Sequence, residues 1–327
     1  MSTSPTPRSA PQGLLRTAFV LPGMLAAYVL AGLASIHAFT PVPPLPLVWL
    51  PAAVVLLAVV RLGPRWAMLA AAGLALTELA SDALPAAYLP FAMVSHAAGA
   101  WLTGVLVERR PTSPEASLPW VLRVAASAVA MPLVVAMGAV LGGHAAFVDV
   151  SPVETVLRLG LAEALGIACL GPVLLLAFAP RPAQRGFKGR VRGPAERYLW
   201  LAMLLASLIG MGWASSHPQG YPLGLSVLPL GVLLWGAIRM RPWEVALAAC
   251  GTVLVFMAML AAGLPGLPAP ALPADYASLL AFLCLFPVMP VLLAFVIRQQ
   301  QVDEIRLLER ATRDPLTGLL NRAAFEQ

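Results

Sequence analysis

The sequence predicts an all-α polytopic membrane protein. It would have about ten transmembrane helices, cytoplasmic N- and C-termini, and a cytoplasmic signalling helix leaving the last span. Three observations predict this class. Hydrophobic residues make up 60% of the 327 residues and charged residues 11%, against roughly 45–50% and 25% in soluble domains. A soluble chain of this length has no core large enough for that much apolar surface. The apolar residues also fall in long runs rich in Leu, Ala and Val, which suit helices better than the alternating strands of a barrel. Finally, Lys and Arg stand in short clusters between those runs, as topology signals do. The formal net charge of +6 is therefore scattered, and it offers no single patch to nucleic acid, which is not expected as a partner.

From the N-terminus, residues 1–17 read as a disordered cytoplasmic tail, Ser/Thr/Pro-rich from Met1 to Gln12. Arg8 and Arg16 precede the first apolar run. That run reads as an uncleaved span rather than a signal peptide, because the later runs need an even partner to place their charges. The expected spans are 18–38, 44–60, 66–83, 86–107, 119–141, 156–179, 198–214, 221–238, 243–263 and 276–297. Proline-rich breaks such as Pro41-Val42-Pro43-Pro44 separate some of them, while Pro132, Pro172 and Pro287 fall inside spans as tolerated kinks.

The charges test that order. With the N-terminus inside, the inner turns hold Arg61 and Arg65, Arg109 and Arg110, the basic stretch 180–197, Arg239 and Arg241, then Arg298. The outer turns hold Asp82, Asp149 and Asp275 and almost no Lys or Arg. This is the positive-inside asymmetry carried along the chain. Arg158 is the exception, and Glu154 four residues earlier is its expected local partner.

Ionisable side chains inside apolar runs need a reason, since each costs about 2.5–3.5 kcal/mol at the centre of a span on insertion scales. Glu78, Asp82, His96 and Glu163 form the candidate intramembrane ligand or coupling site, a pocket suited to a cation or an amine-bearing small molecule. His37, His144 and His217 fall near outer ends. Cys169, Cys250 and Cys284 lie singly in apolar runs, without C-x-x-C spacing, and read as small buried hydrophobes. No metal site is expected. Trp49, Trp101, Trp120, Trp200, Trp213 and Trp243 lie near span ends and read as interface anchors.

The chain also echoes itself. Pro51 to Arg61 and Pro229 to Arg239 are apolar stretches opened by proline and closed by arginine, with Pro64-Arg65-Trp66 and Pro242-Trp243 following. The two spans would run the same way across the membrane, as in a parallel repeat.

Trp49-Leu50-Pro51-Ala52 followed by Arg61-Leu62-Gly63-Pro64-Arg65-Trp66 resembles the W-x-P-A-G…G-x-R-x-W stretch of the MASE family, membrane-associated sensors of the first class. Trp235-Gly236-Ala237-Ile238-Arg239 is similar to a later segment of that family. Ala53 stands where glycine is usual, and Met240-Arg241-Pro242-Trp243 replaces the customary F-G-P-R. The resemblance implies that residues 18–297 are a sensor domain in a bacterial inner membrane.

After Ile297 the composition changes. Arg298 to Arg313 is polar and rich in helix formers, with Val302, Ile305 and Leu308 at three-residue intervals. This reads as a juxtamembrane signalling helix over 298–312, pairing with a second copy as a short coiled coil. Residues 313–327 follow. Asp314, Leu316, Thr317, Gly318, Leu319, Asn321 and Arg322 form a D-x-L-T-G-L-x-N-R run that resembles the opening of a GGDEF diguanylate cyclase domain. The resemblance implies an enzyme joining two GTP into cyclic di-GMP with Mg, through a G-G-D-E-F loop expected beyond Gln327. No catalytic residue, metal or cofactor is expected within the 327 residues. The partners implied are the bilayer, a second copy through the signalling helix, and an unknown small-molecule or ion signal. Competing readings are a small-molecule or ion transporter and a degenerate membrane scaffold.

Overall fold

A computed structural model describes residues 11–40, 46–107, 118–143, 151–178, 193–217, 222–267 and 273–312. Among them the chain is mostly helical, with no strand. The helices are α1 (Pro11–Ala38), α2 (Pro51–Leu62), α3 (Met68–Ser81), α4 (Leu89–Val107), α5 (Leu118–Gly143), α6 (Pro152–Ala177), α7 (Pro194–Ser215), α8 (Pro222–Leu225), α9 (Val227–Arg239), α10 (Pro242–Ala261) and α11 (Pro273–Thr312), with a 3₁₀ turn at Pro64–Ala67 before α3. Proline occupies the first turn of α2, the 3₁₀ turn, α6, α7 and α10. There its fixed φ is already helical and its missing N–H is no loss. Much of the proline content is thus spent starting helices.

Seven helices are long and apolar enough to cross a membrane, namely those containing Val20–Ala38, Leu89–Val107, Arg123–Gly142, Pro152–Ala177, Pro194–Ser215, Pro242–Ala261 and Ala274–Glu304. They make this a multi-pass membrane protein by length and composition. The other three expected spans form shorter pieces. The third is the 3₁₀ turn plus the 14 residues of α3, and the eighth is α8 followed by the 13 residues of α9.

The expected span 44–60 departs most from a single helix. Its described part is an irregular segment leading to Pro51, then the 12 residues of α2, about 18 Å long at 1.5 Å per residue. Leu50, just before Pro51, is already in the right-handed helical region (φ −60°, ψ −31°), and Pro51 takes the first turn of α2, where its missing N–H is no loss. This irregular backbone lies inside the protein: Leu47, Val48, Trp49 and Leu50 are buried, and so is α2 from Pro51 to Val60. Its polar groups are met by the protein. The N–H of Leu47 donates to Phe39 O (2.8 Å), that of Trp49 to Ala162 O (2.9 Å), and that of Leu50 to Ser35 Oγ (3.0 Å). Such satisfaction is what lets irregular backbone exist at membrane depth. Gly166 makes it possible, since a Cβ there would run into the Trp49 carbonyl. At the other end of α2, Gly63 takes a positive φ of 101°, and the Arg61 guanidinium donates to Leu175 O near the C-terminus of α6 (3.0 Å), where a cation also suits the helix dipole.

The interior divides into two clusters. One gathers α1 through α5, with Tyr28, Val55, Leu74, Ala100 and Met131. The other gathers the later helices, with Trp200, Leu233, Met257 and Phe286. α6 lies between them: its Ile167 joins the first, its Leu165 and Cys169 the second, and it packs on α2, α5, α10 and α11. Trp200 and Trp49 are buried, not at an interface. Trp200 donates its indole N–H to Val232 O (2.9 Å). Trp101, Trp213 and Trp243 are exposed, as anchors would be.

A charge cluster gathers where α7 and α10 begin and α9 ends. Arg197 pairs with Glu244 (3.0 Å), Arg239 approaches Glu196 (3.7 Å), and the Glu244 carboxylate accepts the N–H of Arg241 (2.9 Å). Acids sit in first turns and Arg239 in a last turn, each in the sense the helix dipole favours. Arg61 and Arg239 hold matching places at the ends of α2 and α9, whereas Pro51 opens α2 and Pro229 is the third residue of α9.

Candidate functional site

The charged residues in the apolar runs of α3, α4 and α6 converge from three helices. Glu78 sits in the last turn of α3, His96 in the second turn of α4, and Glu163 near the middle of α6. They line one cavity together with Trp49, Tyr88, Leu84 and Ala162, among others. Its volume, counted over positions open to the centre of a water molecule, is about 50 Å³. One water takes roughly 10–15 Å³ on that measure, so several fit.

His96 and Glu163 form the centre. His96 Nε2 lies 2.8 Å from Glu163 Oε1, and both side chains are nearly closed to solvent, at 10% and 2% exposure. The other ring nitrogen, Nδ1, lies 2.7 Å from Ala92 O. A carbonyl only accepts, so Nδ1 carries a hydrogen. The opposite nitrogen then faces a carboxylate oxygen at a distance where two lone pairs would repel. A proton therefore lies between them, and the pair is neutral as a whole wherever that proton sits. The approach is off the hydrogen-bond axis, so neither Glu163 oxygen has a well-aligned donor. Trp49 packs edge-on to the imidazole, with ring centroids 6.4 Å apart.

Glu78 is also buried. Its Oε2 accepts the N–H of Leu84 (2.8 Å), while its Oε1 has no hydrogen-bond partner. Tyr28 and Trp49 add a buried hydroxyl and a buried indole N–H without well-formed hydrogen bonds.

Asp82 does not join this group. It ends α3 in the left-handed conformation, φ 49°, ψ 41°, and its side chain is exposed. One turn from Glu78 in sequence, it is swung away by the helix end. His37 and His217 are exposed as well, and His144 lies outside the described residues. Glu154 and Arg158 pair as expected (2.6 Å), and Arg158 also stacks on the Tyr276 ring of α11 (4.8 Å). Trp49 and Tyr88 are the lining residues that sequence reasoning missed. Trp49 read as an interface anchor, and nothing in the sequence around Tyr88 marked it.

The cysteines are free thiols packed between helices. Cys169 Sγ of α6 is 3.3 Å from Cys250 Sγ of α10, and Cys284 Sγ of α11 lies 3.7 Å from Leu161 O of α6. Among the described residues no three His, Cys, Asp or Glu side chains converge as metal ligands would. On the expected signalling helix, Val302 is half-buried, and Ile305 and Leu308 belong to the same continuous α11. The GGDEF-like residues Asp314, Leu316, Thr317, Gly318, Leu319, Asn321 and Arg322 lie outside the described residues. Compared with protein-family models, curated proteins and solved structures, the chain matches none of them.

Proposed function

We propose that the chain is the membrane-embedded sensory input module of a diguanylate cyclase, MASE-like in its bundle, and that a signal in the Glu78–His96–Glu163 cavity sets the output. The observation that carries this reading is α11. It runs as one helix from Pro273 to Thr312, out of the apolar bundle into the polar segment that ends at the D-P-L-T-G-L-L-N-R run. A continuous helix transmits a shift or rotation that a loop would absorb. The cavity has a route to it. Glu163 is on α6, and α6 touches α11 at Arg158–Tyr276 and Leu161–Cys284.

In this proposal α2, α3 and the α8–α9 pair cross the bilayer with the seven long helices. That gives about ten crossings and puts both termini in the cytoplasm of a bacterial inner membrane, where GTP and Mg are available to a GGDEF domain. Two copies of α11 pair beyond the membrane and bring two such domains together. The direct test joins residues 1–327 in frame to the remainder of a GGDEF domain. Cyclic di-GMP synthesis is expected from the fusion and not from residues 1–327 alone. A Gly-Pro pair inserted after Gln300 should abolish control by the membrane part. Synthesis that ignores the insertion, with dimerisation intact, would count against α11 as the transmitter.

A second reading, a transporter, is favoured by one observation, the buried His96–Glu163 pair, since intramembrane ionisable groups often mark ion or proton paths. Counterflow by the reconstituted chain would support it.

A further inference from the structure

The cavity is short of positive charge. The His96–Glu163 pair is neutral, Glu78 adds a second buried carboxyl group, and among the described residues no Lys or Arg lines the walls. Buried acceptors without donors point the same way: Glu163 Oε2 and Glu78 Oε1, on side chains 2% and 8% exposed. Leaving such oxygens bare in a low-dielectric interior is unfavourable unless something donates to them.

We infer that this cavity binds a small organic ammonium ion, a primary amine with a short apolar body, whose charged head lies between Glu163 and Glu78. An ammonium head brings one positive charge and three N–H donors. That matches the charge deficit and more than covers the two bare oxygens. Trp49 and Tyr88 supply aromatic rings to the wall, the side-chain type that attracts cations. Ile36, Leu74 and Val135 make the rest of the wall apolar and suit an alkyl body. A bare divalent ion fits poorly, because hard cations take six or more oxygens and among the described residues no three His, Cys, Asp or Glu side chains are placed to hold a metal ion together. The volume of about 50 Å³ sets the size at roughly three to five non-hydrogen atoms, one for each water-sized share of about 10–15 Å³.

This inference deepens the sensory reading by naming the chemistry of the signal. Its test reads binding alone, so its failure would leave the cyclase-fusion result standing. The whole chain, reconstituted in lipid nanodiscs, is titrated calorimetrically with n-butylammonium chloride. Parallel titrations use 1-butanol, sodium chloride and calcium chloride. The expected result is saturable butylammonium binding and no saturable binding of 1-butanol. Glu78→Gln and Glu163→Gln should each weaken the binding about ten- to a hundredfold, the range for a lost hydrogen bond to a charged group, while Asp82→Asn leaves it unchanged. Should Glu163→Gln fail to fold, Glu78→Gln decides, since Glu78 stands outside the imidazole pair. Equal binding of 1-butanol, unchanged affinity in Glu78→Gln, absence of saturable amine binding, or sodium or calcium binding that butylammonium does not displace would each overturn the inference.

Discussion

At the scale of single residues, the His96–Glu163 pair shows what an apolar interior demands of charge. Removing one partner leaves the other buried without compensation, a loss of roughly 3–5 kcal/mol, whereas replacing both by apolar groups of similar size is often neutral or better. His96→Leu and Glu163→Leu should therefore each destabilise the reconstituted protein strongly, and the double variant should recover most of the loss. Thermal unfolding in nanodiscs measures this. Additive losses in the double variant would show that the two groups do not compensate one another. The charged members of the site were legible in the sequence, because Glu78, His96 and Glu163 interrupt apolar runs. Their meeting was not, since it depends on the rotation of three helices about their axes. Nor was the exclusion of Asp82, which follows from one left-handed residue at the end of α3.

At the scale of elements, α2 and the irregular segment before it are held against α6. The segment can lie against α6 only because position 166 has no side chain. Gly166→Ala should drive the Trp49 backbone off α6, with a loss of at least the roughly 1–3 kcal/mol usual for overpacking. Gly251 in α10 is the matched control, as nothing lies within 4 Å of a Cβ built there. Gly251→Ala should be neutral or gain about 0.5–1 kcal/mol from the lower entropy of alanine. The midpoint of thermal aggregation in lipid decides, and equal responses at the two positions would refute the packing described. Proline content announced a break near residue 50. It did not announce that the broken backbone would be buried, because burial depends on acceptors such as Ala162 O and Ser35 Oγ, which are remote in sequence.

At the scale of the whole molecule, the long helices establish a multi-pass membrane protein, and the proposed function adds a definite topology. Both chain ends should lie on one side of the bilayer and the Asp82 end of α3 on the other. Single cysteines at Ser9, Asp82 and Arg313, placed in a chain lacking Cys169, Cys250 and Cys284, are labelled with a membrane-impermeant maleimide in intact cells. Asp82→Cys should react before permeabilisation, and Ser9→Cys and Arg313→Cys only after it. Opposite behaviour of the two termini would mean an odd number of crossings, and α11 could then not deliver a signal in the proposed direction. The packing of α6 on α2, α5, α10 and α11 makes it the element through which the cavity and α11 are joined.

The amino-acid order by itself determined the class of molecule. Composition, run length and charge spacing are local or summed quantities, and a bilayer acts on each run nearly independently, so the seven long helices could be read directly, while the expected spans 44–60, 66–83 and 221–238 broke into shorter pieces. Tertiary structure alone decided that Trp49 and Tyr88 wall a cavity, that His96 meets Glu163, and that Asp82 faces away. Those outcomes depend on which helix faces meet across long stretches of chain, and packing fixes the rotation of each helix only when its neighbours are in place.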